Sequence, residues 1–155
     1  MSGDAVARRA QAHDADEVDR LYAQLVSDPA VEVLSQRLAE LQRSTDAALF
    51  VVDDESDGGD GLLGTVFVAL CPDAMFGRQP FAVVENIVVD ARARGRGVGA
   101  LLLAEVERFC LAADCSKIML LSAVERDDAH AFFERAGYDG DRKRGFVKYR
   151  GAFSG

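Results

Sequence analysis

The chain has 155 residues, with 26 acidic against 18 basic side chains, a formal net charge of −8 and 49% hydrophobic residues. That suits one domain, residues 1–155, with its own core, and the acidic balance argues against a nucleic-acid partner. No apolar run approaches the roughly 20 residues of a membrane span, and the first ten residues lack the apolar centre of a signal peptide, so no membrane partner and a cytoplasmic location are expected. Cys71, Cys110 and Cys115 are odd in number and form no CxxC pair, so neither a disulfide framework nor a metal site is expected.

In chain order, Val6–Ala10 is a short strand candidate. His13 to Asp16 reads as a helix entry, with Asp14 or Asp16 able to cap. Val18, Leu21, Tyr22, Leu25 and Val26 recur at helical spacing. Asp28-Pro29 stops that helix and starts another, whose period runs through Val31, Leu34, Leu38 and Leu41 to about Gln42. Ala47–Val52 and Leu62–Leu70 read as a hairpin across the polar turn Asp53–Gly61. After the Cys71–Pro80 loop, Phe81–Val89 is a third long strand. Val98–Ala113 is a helix with Leu101, Leu102, Val106 and Phe109 on its core stripe. Lys117–Ser122, with its IMLL centre, reads as a strand buried on both faces. Asp127–Arg135 is a helix ending at Gly137, and Gly145–Arg150 a last short strand. The order β-α-α-β-β-β-α-β-α-β predicts an α/β fold with one mixed sheet. Its first strands are antiparallel, and the strands at 81–89 and 117–122 are a parallel βαβ pair.

One stretch concentrates the chemistry. From Val83 to Leu103, a β-branched strand carrying Glu85 and Asn86 runs into a loop with Arg92, Arg94 and Arg96, then into an apolar helix. Gly95, Gly97 and Gly99 let the backbone curl closely. The first N–H groups of the helix have no intrahelical partner, which makes the turn an anion site in principle.

The segment Arg94-Gly95-Arg96-Gly97-Val98-Gly99 resembles the acyl-CoA signature Gln/Arg-x-x-Gly-x-Gly/Ala of the GNAT N-acetyltransferase superfamily. Downstream, Ala129 to Tyr138, AHAFFERAGY, resembles the family's A-x-x-F-Y-E-x-x-G-F/Y segment. Two further segments, Glu85 to Asp90 and Asp114 to Leu120, are similar to the glucosamine-6-phosphate N-acetyltransferase branch, from which Asn86 and Ser116 depart. The resemblance implies a GNAT fold in which the strands at 81–89 and 117–122 splay apart and acetyl-CoA, as co-substrate, lies in the wedge. It also implies that Ile87, Val88 and Val89 pair with the pantetheine arm and that Arg94, Gly95, Arg96, Gly97, Val98 and Gly99 hold the diphosphate. Donors at a helix start beside guanidinium groups favour that ligand on physical grounds as well.

Acetyl transfer to an amine needs a neutral amine, a polarised thioester carbonyl and a stabilised leaving thiolate. Glu85 is the candidate base, because the family often carries an acid on this strand; the other reading is a surface acid on an alternating strand. Phe133 stands where the family usually places a tyrosine acid, in the acyl-CoA-binding segment, and a phenyl ring donates no proton. The thiolate then leaves unassisted, takes a proton from water or Ser122, or the chain is a non-catalytic acyl-CoA-binding module. His130 and His13 read as surface and loop residues and Cys110 and Cys115 as core or near-core thiols, while no His or Asn context marks Cys71 as a nucleophile. The loops at Ser27–Ala30 and Cys71–Pro80 are expected to border the acceptor. The favoured reading is a small-molecule amine acetylated by direct attack in a ternary complex, with a protein or peptide amine as the alternative. Family habit implies a homodimer.

Overall fold

The computed structural model describes residues 5–56 and 61–155, so residues 57–60 of the expected polar turn lie outside the described residues. The chain forms two compact units, Met1–Leu120 and Leu121–Gly155. The first holds one five-stranded sheet in the order β1 (Ala7–Arg9), β2 (Ala47–Asp53), β3 (Leu62–Cys71), β4 (Phe81–Val89) and β5 (Ile118–Leu120). The first four strands are antiparallel neighbours, and β5 lies parallel to β4. Helices α1 (Ala15–Leu25), α2 (Ser35–Arg43) and α3 (Val98–Ala112) complete this unit. The mixed sheet and the predicted hairpin are as the sequence pattern requires.

Strand alternation divides the core between the two faces of the sheet. Ala48, Phe50, Val52, Val66, Val68, Ala82 and Val84 pack with Val98, Leu102 and Val106 of α3. On the other face, Leu49, Val51 and Leu62 pack with Val18 and Leu21 of α1 and Leu38 of α2. Each such valine, leucine or phenylalanine contributes about 1.5–3 kcal/mol by leaving water. One break in the alternation shapes the site. Ala82 and Val84 face α3, yet Val88 joins the α1/α2 face, while Ile87 and Val89 pack toward α3. Even-numbered residues have changed sides because β4 carries one extra residue. Glu85 pairs with Phe67 and Val88 with Thr65, leaving Val66 opposite both Asn86 and Ile87. Such a bulge reverses the facing of everything beyond it.

Four sequence expectations need correction. The second helix does not start at Pro29 but at Ser35, because Leu34 is extended and Asp28 Oδ1 accepts the Ala30 N–H in a local turn. Asp14 makes no side-chain cap on α1; its carboxylate takes the Gln11 N–H and the Arg8 guanidinium instead. The strand expected over 117–122 shrinks to Ile118–Leu120, and all three residues are half-buried rather than buried on both faces. The strand expected at Gly145–Arg150 is absent. That segment is exposed coil leading into a 3₁₀ turn at Arg150–Ala152, with no ladder partner among the described residues. An apolar run without a neighbouring edge cannot form a strand.

The second unit, described by itself, contains α4 (Asp127–Arg135). It ends as predicted at Gly137, where the Tyr138 N–H donates to Phe133 O and the Gly137 N–H to Glu134 O. Phe133 is the buried side chain of this helix and stacks edge-on against Tyr138 at 6.2 Å.

Candidate active site

The predicted site follows the chain from β4 into α3. After β4, Asp90 caps a 3₁₀ turn at Ala91–Ala93 by accepting the Arg92 N–H. Gly95 and Gly97 then take φ of +77° and +83°, in the left-handed region that a side chain disfavours. Gly97 is the N-cap of α3, and its carbonyl accepts the Leu101 N–H, so Val98, Gly99 and Ala100 begin the helix with unpaired N–H groups. No side chain caps this end. A Cβ added at Gly95 or Gly97 would meet nothing within 4 Å, so the outer face of the turn is open. Arg94 and Arg96 are exposed beside it. The turn therefore offers directed N–H donors, exposed guanidinium groups and space, which fits a diphosphate.

Arg92 behaves differently from its two neighbours. It pairs with Asp90 at 3.2 Å and Asp54 at 3.1 Å. Arg20 of α1 also pairs with Asp90, at 2.7 Å, and with Glu17, whose carboxylate accepts the Leu62 N–H. Burial pushes the Asp90 carboxyl upward, but hydrogen bonds from Arg20 and the Arg92 N–H outweigh it and hold the group below the usual carboxylate range. This network ties α1, β3 and the turn together, so the turn is anchored before any ligand arrives.

The second element is the edge of β4. β5 pairs with it only at Ala82, Val83 and Val84. From Glu85 to Val89 that edge has no strand partner among the described residues. The Asp90 N–H donates to Leu63 O, so Asp90–Leu63 is a hydrogen-bonded antiparallel pair. Alternation then turns the N–H and C=O of Val89 toward the free edge. Glu85 is exposed, lies opposite Phe67, and by alternation shares the α1/α2 face. Separately, Asp19, Ala23, Val26, Ser27, Asp28, Pro29 and Val31, all from α1 and the loop after it, line an open cleft of about 410 Å³.

Glu85, Ile87–Val89 and Arg94–Gly99 thus fall on one continuous stretch of the first unit. Phe133 belongs to the second unit. There, the Ser122 hydroxyl oxygen is buried without a hydrogen-bond partner, and a His130 ring nitrogen lies 2.8 Å from Ala123 O. Burial, together with the neighbouring Cys115, pushes the Cys110 thiol up to about 12, which makes it inert. Among the described residues no group of His, Cys, Asp and Glu could hold a metal ion, and no helix is long and apolar enough to cross a membrane.

A sequence model of the acetyltransferase (GNAT) family matches residues 15–138. The chain belongs to the GNAT acetyltransferase family. It is an acetyl-CoA-dependent N-acetyltransferase. Solved GNAT structures share its fold. Glucosamine-6-phosphate N-acetyltransferase from Arabidopsis thaliana superposes with a TM-score of 0.80 at 21% identity, covering 96% of this chain and 99% of that one. An acetyltransferase from Trypanosoma brucei gives 0.76 at 20% identity, covering 94% and 100%. AAC(6')-Iy, solved in complex with the bisubstrate analog CoA-S-monomethyl-acetylneamine, gives 0.76 at 18%, covering 96% and 99%.

Three features escaped the sequence reading. Gly64 carries no local mark of its role within the strand, yet a Cβ there would lie 2.9 Å from Val98 Cγ1, 3.0 Å from Val88 O and 3.1 Å from Leu102 Cδ1. It lets the first turn of α3 sit directly on the sheet. Nothing local to Arg20 reveals its partner Asp90, 70 residues away. Asn86, with φ of +55°, did carry a signal: an amide inside a β-branched run is suited to left-handed backbone.

Proposed function

We propose that this GNAT enzyme transfers the acetyl group to a primary amine of a small molecule by direct attack in a ternary complex, within one catalytic domain spanning 1–155. The observation that carries the reading is the open left-handed turn at Gly95–Gly97, continuous with the unpaired edge of β4. Arg94, Gly95, Arg96, Gly97, Val98 and Gly99 would hold the diphosphate through backbone N–H groups and guanidinium charge. Ile87, Val88 and Val89 would pair with the pantetheine arm, and an N–H of that strand would polarise the acyl carbonyl. Acetyl-CoA supplies a thioester carbon for the amine to attack. Glu85, exposed on the α1/α2 face, would take the amine proton directly or through water.

For the acceptor, the open cleft between α1 and the loop after it holds Asp19 and Asp28. Two carboxylates in an open cleft suit a cationic amine. Two neighbours in fold bear the names of enzymes for small amines, glucosamine 6-phosphate and aminoglycosides. Phe133 supplies no proton to the thiolate, whose ordinary pKa near 8.5 makes unassisted departure or a water donor adequate. The homodimer reading rests on the second unit, where Phe146, Val147, Tyr149 and Phe153 are exposed together.

The test has two stages. Calorimetry with acetyl-CoA should give micromolar or tighter binding; no heat of binding at millimolar ligand would end the reading. A thiol-release screen over amines, amino sugars and peptides should give turnover with a small amine, and turnover with peptides alone would replace that acceptor. Glu85→Gln should lower the rate roughly 100-fold while leaving acetyl-CoA affinity within twofold. An unchanged rate at every pH removes Glu85 as base.

A further inference from the structure

Helix α1 meets the turn between β4 and α3 along one side. Val18, Leu21 and Leu25 pack into the core, while Glu17, Arg20 and Gln24, spaced by three and four residues, share another side of the helix. Each of these three bonds outward from α1. Glu17 Oε1 accepts the Leu62 N–H at 2.9 Å, and Arg20 donates to Leu62 O at 3.0 Å and to the Asp90 carboxylate at 2.7 Å. One helical turn further on, Gln24 Oε1 accepts the Ala91 N–H at 3.0 Å. Ala91 opens the 3₁₀ turn that leads into Arg94–Gly99. The next two donors of that turn are also taken within the protein, the Arg92 N–H by Asp90 Oδ1 and the Ala93 N–H by Asp90 O. The unpaired N–H groups of Val98, Gly99 and Ala100 are left for a ligand.

We propose that Gln24 is a positioning residue for the cofactor: by accepting the Ala91 N–H it fixes the angle at which the chain leaves β4, and with it the direction in which the start of α3 presents its donors. Arg20 holds the carboxylate that caps the 3₁₀ turn, and Gln24 holds the first backbone unit inside it. Two anchors from one helix set an orientation, where a single anchor leaves a pivot. The orientation matters because hydrogen bonds to a diphosphate weaken steeply once donor and acceptor fall out of line. Gln24 itself is exposed, so losing its bond opens no cavity and costs the fold little. Its effect falls on ligand affinity, through one backbone conformation. This inference rests on the reading that Arg94–Gly99 hold the diphosphate of acetyl-CoA.

A double-mutant cycle tests it with acetyl-CoA as the probe. Gln24→Met keeps side-chain length and helix propensity and removes the amide oxygen. Titration calorimetry should show acetyl-CoA affinity falling about fivefold in this variant, with Tm within about 2 °C of wild type. Ala91→Pro removes the N–H itself. Asp90 before it is already extended, at ψ 134°, and the first position of a helical turn suits the fixed φ of proline. The ring then holds the backbone that Gln24 held. Ala91→Pro should therefore bind within twofold of wild type, and adding Gln24→Met to it should change affinity less than twofold. An equal loss from Gln24→Met in both backgrounds would show that the amide acts on the ligand directly or by general packing, and would overturn the proposal. So would no loss in the single variant. Gln24→Glu keeps an oxygen for the Ala91 N–H and decides the matter if Ala91→Pro does not fold. In high salt, which screens its added charge, it should bind within twofold of wild type under the same conditions; a loss matching that of Gln24→Met would refute the positioning role. Failure of the wild-type protein itself to bind acetyl-CoA would instead overturn the functional reading beneath it, and this proposal with it.

Discussion

Replacing Gly97 by alanine separates a backbone cost from a binding cost. Gly97 lies at φ +83° and ψ +5°, and an added Cβ meets no atom within 4 Å. The methyl group therefore clashes with nothing in the protein. Its cost is conformational, about 1–2 kcal/mol for a left-handed alanine. Part of this is offset, by roughly 0.4–1 kcal/mol, because alanine also restricts the unfolded chain. A net loss of about 1 kcal/mol should lower Tm by roughly 2–4 °C in a domain of this size. Acetyl-CoA affinity should fall much further, at least tenfold or about 1.4 kcal/mol, because the methyl group projects from the face where a diphosphate must approach. Gly77→Ala is the matched control. It lies at φ +68°, also with nothing within 4 Å, but on the loop between β3 and β4. It should cost the same stability and no affinity. Differential scanning calorimetry and titration calorimetry on both variants decide the matter. If Gly97→Ala binds acetyl-CoA within twofold of wild type, or both variants weaken binding alike, the turn is not the diphosphate cradle.

Three further outcomes are expected. Gly64→Ala should destabilise the fold by about 1–3 kcal/mol, because its Cβ would meet the Val88 carbonyl as well as two side chains; a urea-midpoint loss of less than about 0.5 kcal/mol would show that α3 shifts freely. Asp14 and Asp90 both titrate below the usual carboxylate range: burial opposes this, and hydrogen bonds from Arg8 and Arg20 respectively prevail. Such depressed groups contribute stability in full above their unfolded value near 4 and lose it as pH falls through their folded values. Asp90→Asn should therefore cost about 1–3 kcal/mol at pH 7 and narrow the stability gap between pH 7 and pH 3; an unchanged gap in urea melts refutes the assignment. Phe133→Tyr should raise the turnover rate roughly tenfold if departure of the thiolate is limiting, and a stopped-flow thiol assay showing no gain would place the slow step elsewhere.

Much of the fold was legible in the chain itself. The hairpin between β2 and β3, the long apolar α3 and the glycine turn before it are local patterns, set by side-chain alternation, helical period and backbone freedom. The candidate anion turn stood out for the same reason: Arg94 to Gly99 are contiguous, so the pattern needs no distant partner. The helix start at Ser35, the short β5 and the missing strand at 145–150 were not legible, because a strand or helix boundary depends on what edge or face lies beside it. The anchoring pairs depended on tertiary structure still more. Arg20 meets Asp90 only because α1 lies on the sheet, and Gly64 matters only because Val98 and Leu102 press upon it. The sequence alone determined that Glu85, Asn86 and the glycine turn share one strand-to-helix segment. Only the folded sheet decided that an extra residue at Asn86 reverses the strand's facing, since facing is defined by the neighbour across the ladder and not by the strand itself.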